Sequence, residues 1–353
     1  MKRILLFIFF TFLFVDLYSQ LLTVKDFLTV SSVSLKKFDN YIGKKSFVLV
    51  NKWYQDDTLV NTYRLKTKSK PGDSLLQTKF IETYQKGDDF SFAFFTSSQD
   101  EYQGIKKDIK NAGFFCGKEA EVDSIGRPTL FQKRNISINA STVLKDEDTL
   151  YSFRFYEKEL PIPASIRYAE DLLQFTSHEY LVSMFGEKNV VKDLYYFSEK
   201  EISKCSVLFP HTKRQAVFIW ADEMNMCRLS YVLVGGNMTT GTLLNYNNVI
   251  MENTWMSKEG IYAGMSLSSL EKLNGNDFKI YGKNSEFPLM IVPQNTGKIN
   301  FRKNIVVLSY LSSNGSPLLN APTITAEEIM ADNPGLFVFM IMLLPNNHDA
   351  KSD

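Results

Sequence analysis

Apolar and polar positions alternate in short blocks through the first half of the chain. Segments 47–54, 59–66, 75–84 and 90–96 are rich in Phe, Tyr, Val and Thr and predict strands. Lys70-Pro71-Gly72-Asp73 and Lys86-Gly87-Asp88-Asp89 supply turns between them. Segment 98–112 predicts a helix capped by Ser97 or Ser98, with Ile105 and Ile109 four apart on its buried face and Gly113 at its end. Segments 129–139 and 149–157 return to strand. In the second half, 203–209, 216–220 and 228–234 predict a three-stranded meander turning at 210–214 and 222–226. The apolar run 336–344, between Pro334 and Pro345, suits a buried strand; a membrane-spanning helix needs roughly 20 residues.

A local unit recurs. Ser266 starts a short helix with Leu267, Leu270 and Leu273 on one face, Met265 placed to staple onto Leu270 and Gly275 past the end. The same grammar appears at Thr176, with Glu179 as a capping box, Phe175 opposite Tyr180 and Gly186 at the end. It appears again at Ser34, with Val33 opposite Phe38 and Gly43 closing. Strand-like segments 278–281, 190–197 and 47–50 follow, and helix candidates 166–173 and 24–30 precede the last two helices. The unequal spacing of the units excludes a solenoid, which needs a fixed period. Long antiparallel strands with a few short helices predict an α+β fold of helix–helix–sheet modules.

The chain begins with Lys2 and Arg3, an apolar stretch over 4–15 and a small-then-polar step at Ser19-Gln20, which reads as a secretory signal peptide over 1–19. Pro161 and Pro163 force extended backbone near the middle. The predicted organisation is therefore leader 1–19, an N-terminal α+β domain 20–160, a C-terminal α+β domain 161–345 and a polar tail 346–353. The formal net charge is +1, and losing the leader removes Lys2, Arg3 and Asp16, which leaves an uncharged balance. Nothing here offers the basic footprint of a nucleic-acid binder. The expected location is exported: periplasmic, cell-surface or extracellular.

The stretch Gly260-Ile261-Tyr262-Ala263-Gly264-Met265-Ser266, continuing to Leu273-Asn274-Gly275, resembles the signature of SmpA/OmlA (BamE-like) and β-lactamase-inhibitor-protein-like modules. A weaker echo lies at Phe185-Gly186. That resemblance implies two small helices on an antiparallel sheet, binding other proteins in the cell envelope or outside the cell. Phe185-Gly186-Glu187-Lys188-Asn189-Val190, Val207-Leu208-Phe209-Pro210 and Phe218-Ile219-Trp220-Ala221-Asp222 are also similar to segments of uncharacterised secreted proteins of Bacteroidota. Those proteins carry a Trp-Asp segment where this chain has Gly282-Lys283-Asn284-Ser285-Glu286-Phe287. Neither resemblance supplies catalytic residues.

Chemistry-bearing residues are sparse. The three histidines are His178, His211 and His348. His178-Glu179 opens like a zinc-protease helix, but the second ligand position holds Val182, so no metal site is expected and His178 reads as a solvated first-turn residue. Ser266 approaches a nucleophile elbow without its last glycine. Ser34-x-x-Lys37 and Ser269-x-x-Lys272 lack companion motifs, and the Gly-rich run 235–241 has no lysine for phosphates. Nothing calls for a cofactor. Asp222 and Glu223 form the best acidic pair, and acid/base work would need a cleft around them; Asp56-Asp57 and Asp88-Asp89 read as turns. Cys205 facing Trp220 and Cys227 beyond the middle strand sit two strand spacings apart, roughly 9–10 Å, too far for a disulfide. Cys116, Cys205 and Cys227 are therefore read as unbridged. Phe (28), Tyr (17) and Trp (3) fall mostly at core positions, with Trp53, Trp220 and Trp255 the ones to inspect for exposure. The leading expectation is a non-enzymatic module binding an envelope or extracellular protein or a glycan. The alternative is a hydrolase using Asp222 and Glu223.

Overall fold

The computed structural model describes residues 22–66, 78–87, 89–116, 128–133, 136–145, 148–156, 159–197, 201–236, 253–294, 296–310, 316–332 and 335–345. The leader, the Lys70–Asp73 turn, Asp88, most of the Gly-rich run and His348 lie outside them. The architecture is α+β, with more sheet than helix, and every strand pairing is antiparallel. The chain divides into two compact units, Met1–Glu159 and Leu160–Asp353.

In the first unit, helices α1 (Val24–Val30) and α2 (Leu35–Lys44) precede strands β1 (Phe47–Gln55), β2 (Thr58–Leu65), β3 (Lys79–Lys86) and β4 (Asp89–Thr96). Helix α3 (Gln99–Asn111) leads to β5 (Phe115–Cys116), β6 (Thr129–Lys133), β7 (Ile136–Lys145) and β8 (Asp148–Tyr156). The sheet order β1-β2-β3-β4-β8-β7-β6-β5 joins two meanders where β4 pairs with β8. Asp56 and Asp57 turn the β1–β2 hairpin with φ of 45° and 64°, the mirror-image turn that matches strand twist.

One face of this sheet carries the helices. Phe27 of α1 packs on Phe92, Phe94 and Phe155, Phe38 of α2 on Tyr63, Phe90 and Phe92, and Tyr102 of α3 on Tyr151 and Phe153. Asp26, in the first turn of α1, is 5% exposed. It accepts from the Thr23 N–H at 2.9 Å, the Thr23 hydroxyl at 2.8 Å and Tyr41 Oη, with Lys45 Nζ at 3.4 Å. Burial pushes its carboxyl upward, but Tyr41, Thr23 and the Lys45 charge outweigh that and hold it below the ordinary value.

Two expectations fail here. Segment 129–139 is two strands, because Phe131 turns back to pair with Ile138. Helix α2 runs through Gly43, which has an ordinary backbone; the reversal comes later, at Ser46 with φ 66°, and Ser34 makes no side-chain cap bond.

The second unit opens with a 3-10 turn, Ala169–Gln174, where segment 166–173 predicts a helix. Asp171 binds the N–H groups of Arg167 and Tyr168 and winds the backbone tightly. Helix α4 (His178–Phe185) and strands β9 (Val190–Tyr196), β10 (Ile202–Leu208), β11 (Ala216–Asp222) and β12 (Cys227–Gly235) follow, the last three forming the anticipated meander. Then come α5 (Leu267–Asn274), β13 (Lys279–Tyr281), β14 (Asn304–Tyr310), β15 (Thr323–Thr325), α6 (Ala326–Ala331) and β16 (Leu336–Leu343). The six-stranded sheet runs β14-β16-β12-β11-β10-β9, and β13 pairs with β15. Phe175, Leu181, Phe218, Trp220, Leu270, Phe301, Val338 and Ile341 share one large apolar core.

Cap chemistry sets the helices. Ser266 caps α5 through the Ser269 N–H at 3.2 Å, and Gly275 closes it at φ 77° in the left-handed region. The cap of α4 is Ser177, not Thr176: Ser177 Oγ accepts the Tyr180 N–H at 3.0 Å, while the Thr176 carbonyl accepts from Arg228 of β12. The Phe175 and Tyr180 rings still meet, 5.4 Å apart. Among the described residues, no helix is long and apolar enough to cross a membrane.

Candidate functional site

The residues singled out by sequence do not converge. Asp222 closes the β11–β12 turn, accepting from the Asn225 backbone N–H at 3.2 Å and from Asn225 Nδ2 at 2.8 Å. A cleft elsewhere in the second unit includes neither Asp222 nor Glu223. Ser266 is spent as a helix cap, and His211 sits in a turn with φ 61°. Among the described residues no group of three or more His, Cys, Asp or Glu is placed to hold a metal. The three cysteines are unbridged. Cys205 pairs with Ile219, one position from the expected Trp220.

His178 is not solvated: it is 7% exposed, and its Nδ1 lies 2.9 Å from Ser206 Oγ, which also accepts from Trp220 Nε1 at 2.9 Å. The bridge Ser177↔Cys227 draws the start of α4 against the sheet and carries His178 inside. Ser206 is 0% exposed, so this serine–histidine contact meets no substrate. Trp220 and Trp255 are core residues, Trp255 donating to the Arg214 carbonyl at 2.7 Å.

Trp53 differs, being 40% exposed on β1. Among the described residues this strand is the outermost of its sheet, and beyond Phe47 each of its residues is exposed. Val48, Leu49, Val50, Trp53 and Tyr54 place large apolar side chains there, Tyr54 at 71% exposure. A register shift between Leu49 and Asn51 marks a bulge, and Lys52 is the only charge. The one hint in the sequence is four consecutive apolar residues, 47–50. A strand with one covered face would alternate instead.

On the sheet face away from the helices, Trp53 is aligned through Val60 with Tyr84, Ser91 and Tyr156. Arg154 lies there with its guanidinium carbon 4.4 Å from the Tyr84 ring centre and 5.6 Å from that of Tyr156. Its Nη2 donates to Ser91 Oγ at 3.3 Å, while its buried Nε finds no acceptor. The Tyr84 hydroxyl donates to Glu82 at 2.7 Å; burial first, then that carboxylate, pushes the phenol well above its ordinary value, against the pull of Arg154. Asn139 donates to the Tyr156 hydroxyl at 2.9 Å. This is a polar–aromatic surface with its hydrogen bonds largely internal, continuous with the exposed edge.

In comparisons with family models, curated proteins and solved structures, nothing matches this chain.

Proposed function

We propose that this chain is an exported, non-enzymatic binding protein, with two domains corresponding to its two units, that captures an extended segment of another envelope or extracellular protein along β1. The observation that carries this reading is the edge itself. Natural sheets blunt a free edge with charge, proline or a covering element. Beyond Phe47, β1 carries one lysine and five exposed large apolar residues. A strand laid beside it gains main-chain hydrogen bonds along the open ladder, and its alternate side chains meet apolar groups on both faces. The resemblance of the Gly260–Gly275 stretch to envelope-binding modules supports the same class, and the leader-like first segment supports export. The hydrolase alternative loses support from Asp222, whose oxygens are engaged within its own turn.

The test is a photo-crosslinking residue at Tyr54, with a control at exposed Met224 of the second unit. A discrete cross-link from position 54, absent from 224 and lost in Leu49→Lys/Trp53→Lys, is expected. A product that maps onto a second copy of this chain, or none from position 54, rejects the reading.

A further inference from the structure

A cleft of about 860 Å³ opens in the second unit between β13 and the residues 292–294 and 296–302. Its volume is that of a small-molecule site, for which about 300–1,000 Å³ is usual. The walls are fixed by their own chemistry. Asn274, fully buried at the end of α5, accepts the Ile299 N–H through its side chain at 3.1 Å and the Lys298 N–H through its carbonyl at 2.8 Å. Gly297 crosses so close to the Asn274 amide that a Cβ there would sit 2.2 Å from it. Glu259 takes the Asn300 N–H at 3.2 Å and Asn304 Nδ2 at 2.9 Å. On the opposite side the Val292 N–H donates to the Lys279 carbonyl at 2.8 Å. These bonds shape the cleft before any ligand arrives, which reduces the ordering cost of binding.

The lining is unbalanced in charge. Lys279, Lys298 and Arg302 line the cleft against one carboxylate, Asp277, which accepts the Glu327 N–H of α6 at 3.1 Å. Lys279 feels the nearby Glu328, whereas Lys298 and Arg302 form no ion pair among the described residues. Phe278 and Phe301 back the cleft from the core, 3% and 1% exposed, with ring centroids 5.3 Å apart. A concave wall carrying uncompensated cations concentrates anions, and a guanidinium pairs bidentately with carboxylate or phosphate.

We propose that this cleft binds a small polyanion, whose carboxylate or phosphate groups pair with Lys298 and Arg302. The proposal is independent of the β1 edge. Calorimetric titration of the purified protein at low salt with pyrophosphate, tri-galacturonate and uncharged maltotriose tests it. Saturable binding of at least one anion is expected, with no binding of maltotriose; whichever anion binds distinguishes a phosphate from a carboxylate source. Lys298→Gln/Arg302→Gln, both at exposed positions, should weaken that binding by about ten- to hundredfold, the loss expected for charge-assisted contacts. The control Lys192→Gln/Lys204→Gln should leave it unchanged. Absence of binding by both anions, equal binding of maltotriose, or the same affinity in both double variants overturns the proposal.

Discussion

The Ser206 hydroxyl oxygen lies 2.9 Å from Nδ1 of His178, and both residues are closed off from solvent. A serine–histidine pair in the open would be read as a nucleophile and its base; here the same oxygen also holds the Trp220 indole. Ser206→Ala removes a buried acceptor and should cost about 1–3 kcal/mol, measured as a drop in chemical-denaturation midpoint. A fluorophosphonate probe should leave Ser206 unlabelled in the folded protein, and labelling at that position would refute the structural role.

Asp26 gives stability a defined acid dependence. Its carboxyl is held below its ordinary value, so its contribution is complete above the unfolded pKa of about 3.9. That contribution falls away as pH drops through the lower folded value, because the unfolded chain binds the proton more readily. Asp26→Asn should therefore destabilise the protein at pH 7 and narrow its gap from the parent at pH 3. Denaturant melts at both pH values decide this; an equal gap at both would count against it.

Thiol reactivity should divide the three cysteines. Burial, then the Asp193 charge, pushes the Cys205 thiol up to about 12, and the thiolate is the reactive form. Cys227 is 1% exposed, whereas Cys116 is half-buried. At pH 8 iodoacetamide should modify Cys116 alone in the folded protein and all three after denaturation, as read by mass spectrometry.

Two glycine-to-alanine changes should act with opposite sign. A Cβ on Gly282 would lie 1.8 Å from the Ala321 carbonyl oxygen, so Gly282→Ala forces backbone apart and should cost about 3 kcal/mol or more. Gly43 has nothing within 4 Å of its Cβ position and sits in α2. Gly43→Ala should add about 0.4–1 kcal/mol by restricting the unfolded chain. Thermal melts of the pair provide the comparison.

Strands 47–54, 59–66 and 90–96, helix 98–112 and the meander around Phe218 were legible because local pattern and tertiary burial agree there. The split inside 129–139 is not, since the polar run Gln132-Lys133-Arg134-Asn135 that interrupts the apolar pattern contains no glycine or proline. His178 looked solvated because only the pairing of Ser177 with Cys227, fifty positions away in sequence, reveals what covers it. The same limit applies to the sites. Trp53 was noticed, but its exposure depends on β1 being outermost. Lys298 and Arg302 meet Lys279 and Asp277 only through the fold of residues 296–302 against β13, and no spacing encodes that meeting.

Strand β16 lies between β12 and β14, although it follows both in sequence. Until residues 336–343 have been synthesised, β12 and β14 have no partner to join them, and their apolar inner positions stay uncovered. The six-stranded sheet therefore closes only once β16 has been synthesised. The β9–β12 meander can pair as it emerges from the ribosome, whereas the far edge of the sheet waits for its last strand.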